Sequence, residues 1–174
     1  EKNSIDAIIF VSQTPEYQLP ATACIIQDIL KLNNNIVAYD VNLGCSGYTH
    51  GLLLASSLIQ SGFNNVLLLV GDTVSKIVEG NDNSSNLLFG DAGSATLIAQ
   101  QVDSDISFVL GSDGSSFESI IVDNSNNKKT NNKNDFLTMN GAEVFTFTLK
   151  RIPQLIKDTL AYSKLNKDDI NPVS

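Results

Sequence analysis

The sequence predicts an α/β fold built on a mostly parallel sheet. Strand-length apolar runs alternate along the chain with segments of helical periodicity, an order typical of right-handed βαβ units. The first strand-like run, at 5–11, is almost continuously apolar, as in a parallel strand that is covered on both faces. One of these runs leads directly into an apolar helix, and Cys45 lies at that junction.

The first part of the chain contains three predicted strands and two predicted helices. Pro20 favours the first turn of a helix, and the asparagines at 33–35 favour its end. Gly62 follows the second helix, where a glycine can adopt the left-handed conformation that ends a helix. The predicted elements in chain order are a strand at 5–11, a helix near 21–32, a strand at 36–42, a helix at 46–61 and a strand at 66–70.

The second predicted helix is apolar on almost every face. One apolar stripe consists of Tyr48, Leu52, Ala55 and Ile59, and another consists of Gly51, Leu54 and Leu58. Helices that are apolar nearly all round are buried. We therefore expect this helix to lie at the centre of the fold, directly after the junction at Cys45.

The remainder of the chain predicts fewer regular elements. A polar loop over 72–86 precedes two predicted strands, at 95–100 and 106–111, with no helix between them. Residues 123–135 are polar and rich in asparagine, and we expect them to form a surface insertion. A second helical region follows, and Pro153 predicts a kink or break just before it. Its apolar residues recur at helical spacing and are Val144, Phe147, Ile152, Leu155, Ile156 and Leu160.

The composition limits the classes of function. The 174 residues suffice for one ordinary domain, and 42% of them are hydrophobic. The formal net charge of -8 argues against nucleic acid as a partner, since phosphate binding needs a basic surface. No apolar run reaches membrane-spanning length and no signal peptide is recognisable. Two cysteines, Cys24 and Cys45, do not form a disulfide framework, so we expect a protein of the reducing cytoplasm. Because the chain begins at Glu1 without methionine, we also expect it to be part of a longer protein.

Cys45 is the candidate catalytic residue. It precedes a helix N-terminus, where unpaired backbone N–H groups and the helix dipole favour thiolate over thiol. A nucleophile with anion-stabilising N–H groups beside it suits covalent catalysis. The local sequence is equally compatible with a small buried residue, as free cysteines often are.

Other residues offer Cys45 little help. His50, the only histidine, lies five residues further along the helix, which is a rotation of about 140° and a rise of about 7.5 Å, so we expect a packed or capping role. Cys24 is predicted to be a core thiol of the first helix. Metal ligands are too few for a metal site. The glycine-rich turns at 89–95 and 110–115 do not open helices, which argues against phosphate-binding loops and favours close approach of backbones.

Several sequence blocks, in matching order, resemble the beta-ketoacyl-acyl-carrier-protein synthase III group of the thiolase superfamily. They cover essentially the whole chain and lie at 14–17, 19–24, 38–47, 68–72, 89–95, 110–114 and 137–145. The resemblance implies a thiolase-like layered fold with a buried central helix after the nucleophile. It also implies that residues 1–122 form most of the N-terminal half, and that 136–174 form a linking helical region and the start of the C-terminal half, on either side of the insertion at 123–135.

The resemblance implies a specific reaction. Cys45 would accept an acyl group from acyl-CoA, and decarboxylation of malonyl-acyl-carrier-protein would generate the carbanion that attacks the acyl-cysteine. This Claisen condensation initiates fatty-acid synthesis, in a homodimer that needs no cofactor. Leu19 would cross the dimer interface into the partner's acyl pocket. The residues implied to bind substrate are Leu19, Phe89, Leu137, Met139, Gly141, Val144 and Phe145, for which ordinary packing is an equal alternative.

Two departures from the family pattern affect this expectation. The catalytic histidine and asparagine of the family are expected soon after Ile170 and are absent from this chain, so we do not expect the chain alone to be active. Asn83 replaces a basic residue that often contacts the CoA nucleotide, which leaves open whether CoA or a carrier protein delivers the acyl group.

Two alternative functions remain open. The first is another thiolase-superfamily acyltransferase, similar to hydroxymethylglutaryl-CoA synthase or to a polyketide- or quinolone-type synthase. The second is a non-catalytic, dimerising partner subunit. The presence of Cys45 argues against the second alternative, since such subunits usually lose the nucleophile.

Overall fold

The computed structural model describes residues 2–80, 86–101, 106–123 and 135–170. The chain divides into two compact units, which we call the sheet unit (residues 1–76 and 89–104) and the helical unit (residues 77–88 and 105–174). Asn83 and nearly all of the predicted surface insertion lie outside the described residues.

The sheet unit is built on a four-stranded sheet with the strand order β2-β1-β3-β4. The central strand β1 runs parallel to both β2 and β3, whereas β4 pairs antiparallel with β3. The prediction of a mostly parallel sheet is therefore confirmed. The strands are β1 (Ala7–Val11), β2 (Val37–Val41), β3 (Asn65–Asp72) and β4 (Ala92–Ala99).

Helices α1 (Thr22–Ile29) and α2 (Gly47–Gln60) cover opposite faces of this sheet. Successive strand residues point to opposite faces, so Ile9 packs in the cluster on the α2 side and Ile8 in the cluster on the α1 side. Both isoleucines are fully buried. This two-sided burial explains why β1 is continuously apolar.

Helix α2 approaches the sheet through its small residues. Its buried residues are Gly47, Gly51 and Ala55, which are spaced four apart on one face. A Cβ atom on Gly51 would lie 2.6 Å from Cδ1 of Leu68, so only glycine permits this contact. Of the first predicted stripe, Ala55 is buried but Tyr48 is 39% exposed. Among the described residues, the helix thus buries its small-residue face rather than its whole circumference.

The two helices of the sheet unit end in the same way. After α2, Gly62 adopts a φ of 102°, and the N–H of Phe63 donates to the carbonyl of Leu58 at 3.1 Å. The predicted glycine cap is confirmed. After α1, the residue in the left-handed region is Lys31, with a φ of 53°. The helix therefore ends before the asparagines at 33–35, contrary to the predicted boundary.

The helical unit consists of a hairpin and a long helix. Strands β5 (Ile120–Val122) and β6 (Leu137–Met139) pair antiparallel, and α3 (Gly141–Ser163) follows. The strand predicted at 106–111 is wrong, because none of the described strands pairs with this segment. The break predicted at Pro153 is also wrong. Proline removes one N–H donor, and the 23-residue helix continues on both sides of it.

Candidate active site

Cys45 lies in the turn that joins β2 to α2. Strand β2 ends at Val41 and helix α2 begins at Gly47, which confirms the predicted strand-to-helix junction. The side chain is exposed, so the alternative interpretation of Cys45 as a small buried residue is wrong for the described chain. The position follows from the topology, because the loop after a parallel strand lies at the carboxyl edge of the sheet.

Backbone groups dominate the immediate surroundings of Cys45. The N–H of Gly47 donates to the carbonyl of Gly44 at 2.7 Å, which closes the turn around the cysteine. Ser46 occupies the N-cap position of α2, and no described side chain caps this terminus. The positive end of the α2 dipole therefore faces the turn, where it can stabilise negative charge on sulfur or on an attached oxygen.

His50 points back to its own helix rather than to Cys45. Its Nδ1–H donates to the carbonyl oxygen of Ser46 at 3.0 Å, and that oxygen also accepts from Oγ1 of Thr49 at 2.8 Å. The histidine thus bonds to the first turn of the helix, in agreement with the capping role expected from the helical rotation.

Cys24 is exposed, and the prediction of a core thiol is wrong. Its neighbour Ala23 is the buried residue of α1. Successive helical residues are about 100° apart, so Cys24 does not share the buried face of Ala23 and instead lies beside the edge strand β2. The thiol of Cys24 donates a long hydrogen bond of 3.7 Å to the carbonyl of Ala38.

A single carboxylate oxygen fixes the backbone at the carboxyl end of β1. Oδ1 of Asp72 accepts hydrogen bonds from Ser12 Oγ at 2.9 Å, from the N–H of Gln13 at 2.7 Å, and from the N–H and Oγ1 of Thr14 at 3.0 and 2.9 Å. Oγ1 of Thr14 in turn accepts from the N–H of Thr73 at 2.8 Å. We call this arrangement the Asp72 clamp. Sequence reasoning missed it, although Asp72 ends one strand and Ser12 follows its parallel neighbour.

A second carboxylate holds the start of α1. Oδ2 of Asp40 accepts from the N–H of Thr22 at 2.7 Å, and Oδ1 accepts from the N–H of Ala23 at 2.8 Å. Residues 12–23, which we call the tethered segment, are therefore anchored at both ends. Leu19 lies within this segment and is 79% exposed. Leu19, which the resemblance places at a dimer interface, thus points outward from a fixed segment.

An open cavity of about 700 Å³ lies along the carboxyl ends of β1 and β3 and the start of β4. Asp91 lines it and accepts from the hydroxyl and the N–H of Ser75 at 2.6 and 2.8 Å, which lowers the pKa of Asp91. Phe89 is half-buried just before β4 and does not line this cavity. The lining residues are Phe10, Ser12, Thr14, Leu69–Thr73 and Asp91–Ala95.

The glycine-rich turns differ from each other. Gly71 faces Gly93 across the β3–β4 ladder, and a Cβ on Gly71 would lie 2.9 Å from Cα of Gly93. The backbones therefore approach closely at this turn, but Gly71, outside the turn, is the residue that permits it, since a Cβ on Gly93 would lie 3.9 Å from the carbonyl oxygen of Val70, an ordinary contact. A Cβ on Gly90, Gly111 or Gly114 would meet no described atom within 4 Å, so the predicted role of these glycines is wrong.

The turn at 110–115 is linked to α3 by an ion pair. The carboxylate of Asp113 accepts from the hydroxyl and the N–H of Ser115 and pairs with the guanidinium of Arg151 on α3. These interactions, led by the Ser115 hydroxyl, lower the pKa of Asp113 to about 2. Asp113 therefore stays ionised and links the turn to the helix.

The other predicted substrate-binding residues belong to the helical unit, where the structure groups them. Asn140 caps α3 by accepting from the N–H of Glu143 at 3.3 Å, and its own N–H donates to the carbonyl of Ser119 at 2.8 Å. Glu143 also accepts from the Ser119 hydroxyl. This network fixes the hairpin to the start of the helix. Leu137 and Met139 lie on β6, and Gly141, Val144 and the 63% exposed Phe145 lie in the first turns of α3.

Two kinds of feature are absent from the part of the chain that the structure describes. Within the described ranges, no group of three or more histidine, cysteine or acidic side chains is placed to hold a metal ion. None of the helices in those same ranges is both long and apolar enough to span a bilayer.

Comparison with known proteins gives a consistent assignment. Residues 39–114 match the family model of 3-oxoacyl-[acyl-carrier-protein] synthase III. The beta-ketoacyl-[acyl-carrier-protein] synthase III of Clostridium tetani is 35% identical, over 96% of this chain and 54% of its own length. The chain spans about half the length of the curated relatives it matches.

Solved structures agree with the sequence comparison. A crystal structure of a 3-oxoacyl-(acyl-carrier-protein) synthase III has a TM-score of 0.91 and 34% identity, over 97% of this chain and 56% of that one. The 3-oxoacyl-(acyl carrier protein) synthase of Burkholderia xenovorans has a TM-score of 0.89 and 42% identity, over 96% of this chain and 51% of that one. This chain therefore belongs to the 3-oxoacyl-[acyl-carrier-protein] synthase III family and has its thiolase-like α/β fold.

Proposed function

We propose that the protein carrying this chain is a condensing acyltransferase that initiates fatty-acid synthesis. It takes an acyl group from acyl-CoA onto Cys45 and joins that group to malonyl-acyl-carrier-protein with loss of carbon dioxide. The observation that carries the proposal is the exposed thiol of Cys45 at the uncapped start of α2. Membership of the synthase III family supports it.

The first half-reaction uses groups of this chain. The Cys45 thiolate attacks the thioester carbon, and the resulting oxyanion is stabilised by backbone N–H donors at the helix terminus. The C–S bond to CoA then breaks, and the CoA thiolate leaves and takes up a proton. In the second half-reaction, decarboxylation of the malonyl group gives a carbanion that attacks the acyl-cysteine and releases the Cys45 thiolate. We assign no part of the decarboxylation to His50, because its Nδ1 is bonded to its own helix.

We further propose substrate-binding roles for the residues that the family pattern suggests. Leu19 fits a role at an interface between two copies of the protein, because it is 79% exposed on a segment anchored at both ends. The other proposed substrate-binding residues are Phe89, Leu137, Met139, Gly141, Val144 and Phe145. We propose a cytoplasmic homodimer that works without a cofactor.

The proposal is tested by mass spectrometry of the acyl-enzyme. The full-length protein is incubated with acyl-CoA, and the adduct is located by peptide mapping. Cys45→Ala should abolish the adduct, whereas Cys24→Ala should leave it intact. Cys24 is a matched control, because both thiols are exposed and non-specific acylation would label both. Folded protein without an adduct on Cys45 would contradict the proposal and favour a non-catalytic subunit.

A second measurement addresses the condensation. The acylated protein is mixed with malonyl-acyl-carrier-protein, and released carbon dioxide is counted against the 3-oxoacyl product. Equal amounts of the two are expected. Acylation followed by condensation without loss of carbon dioxide would instead indicate chemistry of the hydroxymethylglutaryl-CoA synthase type.

A further inference from the structure

The side chain of Gln13 lies against the residue that precedes Cys45. A Cβ atom on Gly44 would lie 2.4 Å from Oε1 of Gln13 and 3.8 Å from its Nε2. The amide oxygen therefore faces the glycine, and the NH₂ group lies farther from it. The Cα of Cys45 lies about 3.8 Å from the Cα of Gly44. The amide of Gln13 is therefore next to the residue that precedes the proposed nucleophile.

The backbone of Gln13 is fixed in this position. Its N–H donates to Asp72 at 2.7 Å as part of the Asp72 clamp. The register of the sheet brings the relevant loops together, because Val11 pairs with Val41 in the parallel β1–β2 ladder. Gln13 and Cys45 follow these paired residues and so leave the sheet at the same edge.

The amide of Gln13 is available to a ligand. Within the described part of the chain its side chain has no hydrogen-bond partner, and the residue is exposed to water. An acyl group on Cys45 that extends along this side chain would replace water at the NH₂ group. An aliphatic acyl group leaves those donors unpaired, whereas a carbonyl oxygen on the acyl chain can accept from them.

We propose that Gln13 is a specificity-determining residue that favours acyl groups with a hydrogen-bond acceptor a few atoms from the thioester carbon, such as a 3-oxo group. This inference rests on the proposed role of Cys45 as the acyl acceptor. A hydrogen bond of ordinary strength changes affinity by a factor of about five, so the preference should be of about that size. The mechanism is general, since a site that hydrogen-bonds a substrate group rejects the analogue without it.

The test compares two thioesters of equal carbon count in the full-length protein. Acetoacetyl-CoA and butyryl-CoA differ by one oxo group, and the rate of Cys45 acylation by each is measured by mass spectrometry. We expect the wild type to favour acetoacetyl-CoA by about fivefold. Gln13→Leu should abolish the preference, because leucine offers no donor. Gln13→Glu should reverse it, because a carboxylate only accepts hydrogen bonds and repels the oxo oxygen.

The outcomes separate this inference from the proposed function. Acylation of Cys45 by both thioesters, with the same rate ratio in all three proteins, would overturn the role of Gln13 and leave the nucleophile intact. Folded wild type that neither thioester acylates would overturn both. Thermal unfolding of each variant provides the control for structure, and we expect little change because the Asp72 clamp uses the backbone N–H of Gln13.

Discussion

The contact between α2 and the sheet gives a quantitative test of how Cys45 is positioned. Gly51→Val adds a side chain at the contact with Leu68. Its Cβ would lie 2.6 Å from Cδ1 and 3.2 Å from Cδ2 of Leu68. Carbon atoms pack at about 3.5 Å or more, so helix and strand must separate by about 1 Å. Leu68 is fully buried, and protein cores are close-packed, so its side chain cannot move aside without cost.

The expected cost follows from this overlap. Overpacking a core costs about 1–3 kcal/mol, and the better helix propensity of valine returns only a few tenths of that. We therefore expect Gly51→Val to lower the free energy of unfolding by about 1–2.5 kcal/mol. A shift of about 1 Å at the start of α2 also moves Cys45, which should slow its acylation by about 100-fold.

Both effects can be measured on the full-length protein. Urea denaturation gives the free energy of unfolding, and the rate of adduct formation reports the position of Cys45. Gly80→Val is the matched control, because a Cβ there would meet no described atom within 4 Å. In a Leu68→Ala background, Gly51→Val should cost less, since the deleted side chain leaves room. Unchanged stability and acylation in Gly51→Val would refute the reasoning.

Two further predictions concern carboxylates. Asp72→Ala removes the acceptor of the Asp72 clamp and should lower the free energy of unfolding, measured in urea, by about 1–3 kcal/mol. Asp28→Ala is the control and should change the free energy of unfolding little, because it breaks only an exposed ion pair with Lys31. Equal effects of the two substitutions would contradict this role of Asp72. The pKa of Asp113 is lowered to about 2, so its contribution to stability is complete above about pH 4 and is lost as the pH falls toward about 2. Ser115→Ala should raise the pKa of Asp113 in an NMR titration, and an unchanged pKa would show that Ser115 is not its main cause.

Local signals made most of the sheet unit predictable. Continuous apolar runs located β1 and β3, because two-sided burial leaves no alternation in a strand. Gly62 marked the end of α2 through its backbone conformation alone. The junction at Cys45 followed from the end of β2 and the start of α2, which left only a short turn between them.

Features that depend on distant contacts were not predictable in this way. The bonds of Asp72 to Ser12, Gln13 and Thr14 span 58–60 residues, and the sequence around Asp72 contains no sign of its partners. The prediction for α2 relied on its large apolar residues, which suggested burial on almost every face. The face that packs against the sheet instead carries the smallest side chains, because they allow the closest approach. The segment 106–111 has a strand-like composition, but a strand also requires a partner.

The two anchors of the tethered segment restrict how this surface can vary. Asp72 belongs to β3 and Asp40 to β2, the two strands that flank β1 in one sheet, so the separation of the anchors is set by the sheet. An inserted residue would have to bulge outward or detach one anchor. Exchanging the exposed side chains of Tyr17 or Leu19 leaves both anchors in place. Engineering of this surface is therefore a matter of replacing side chains at constant loop length.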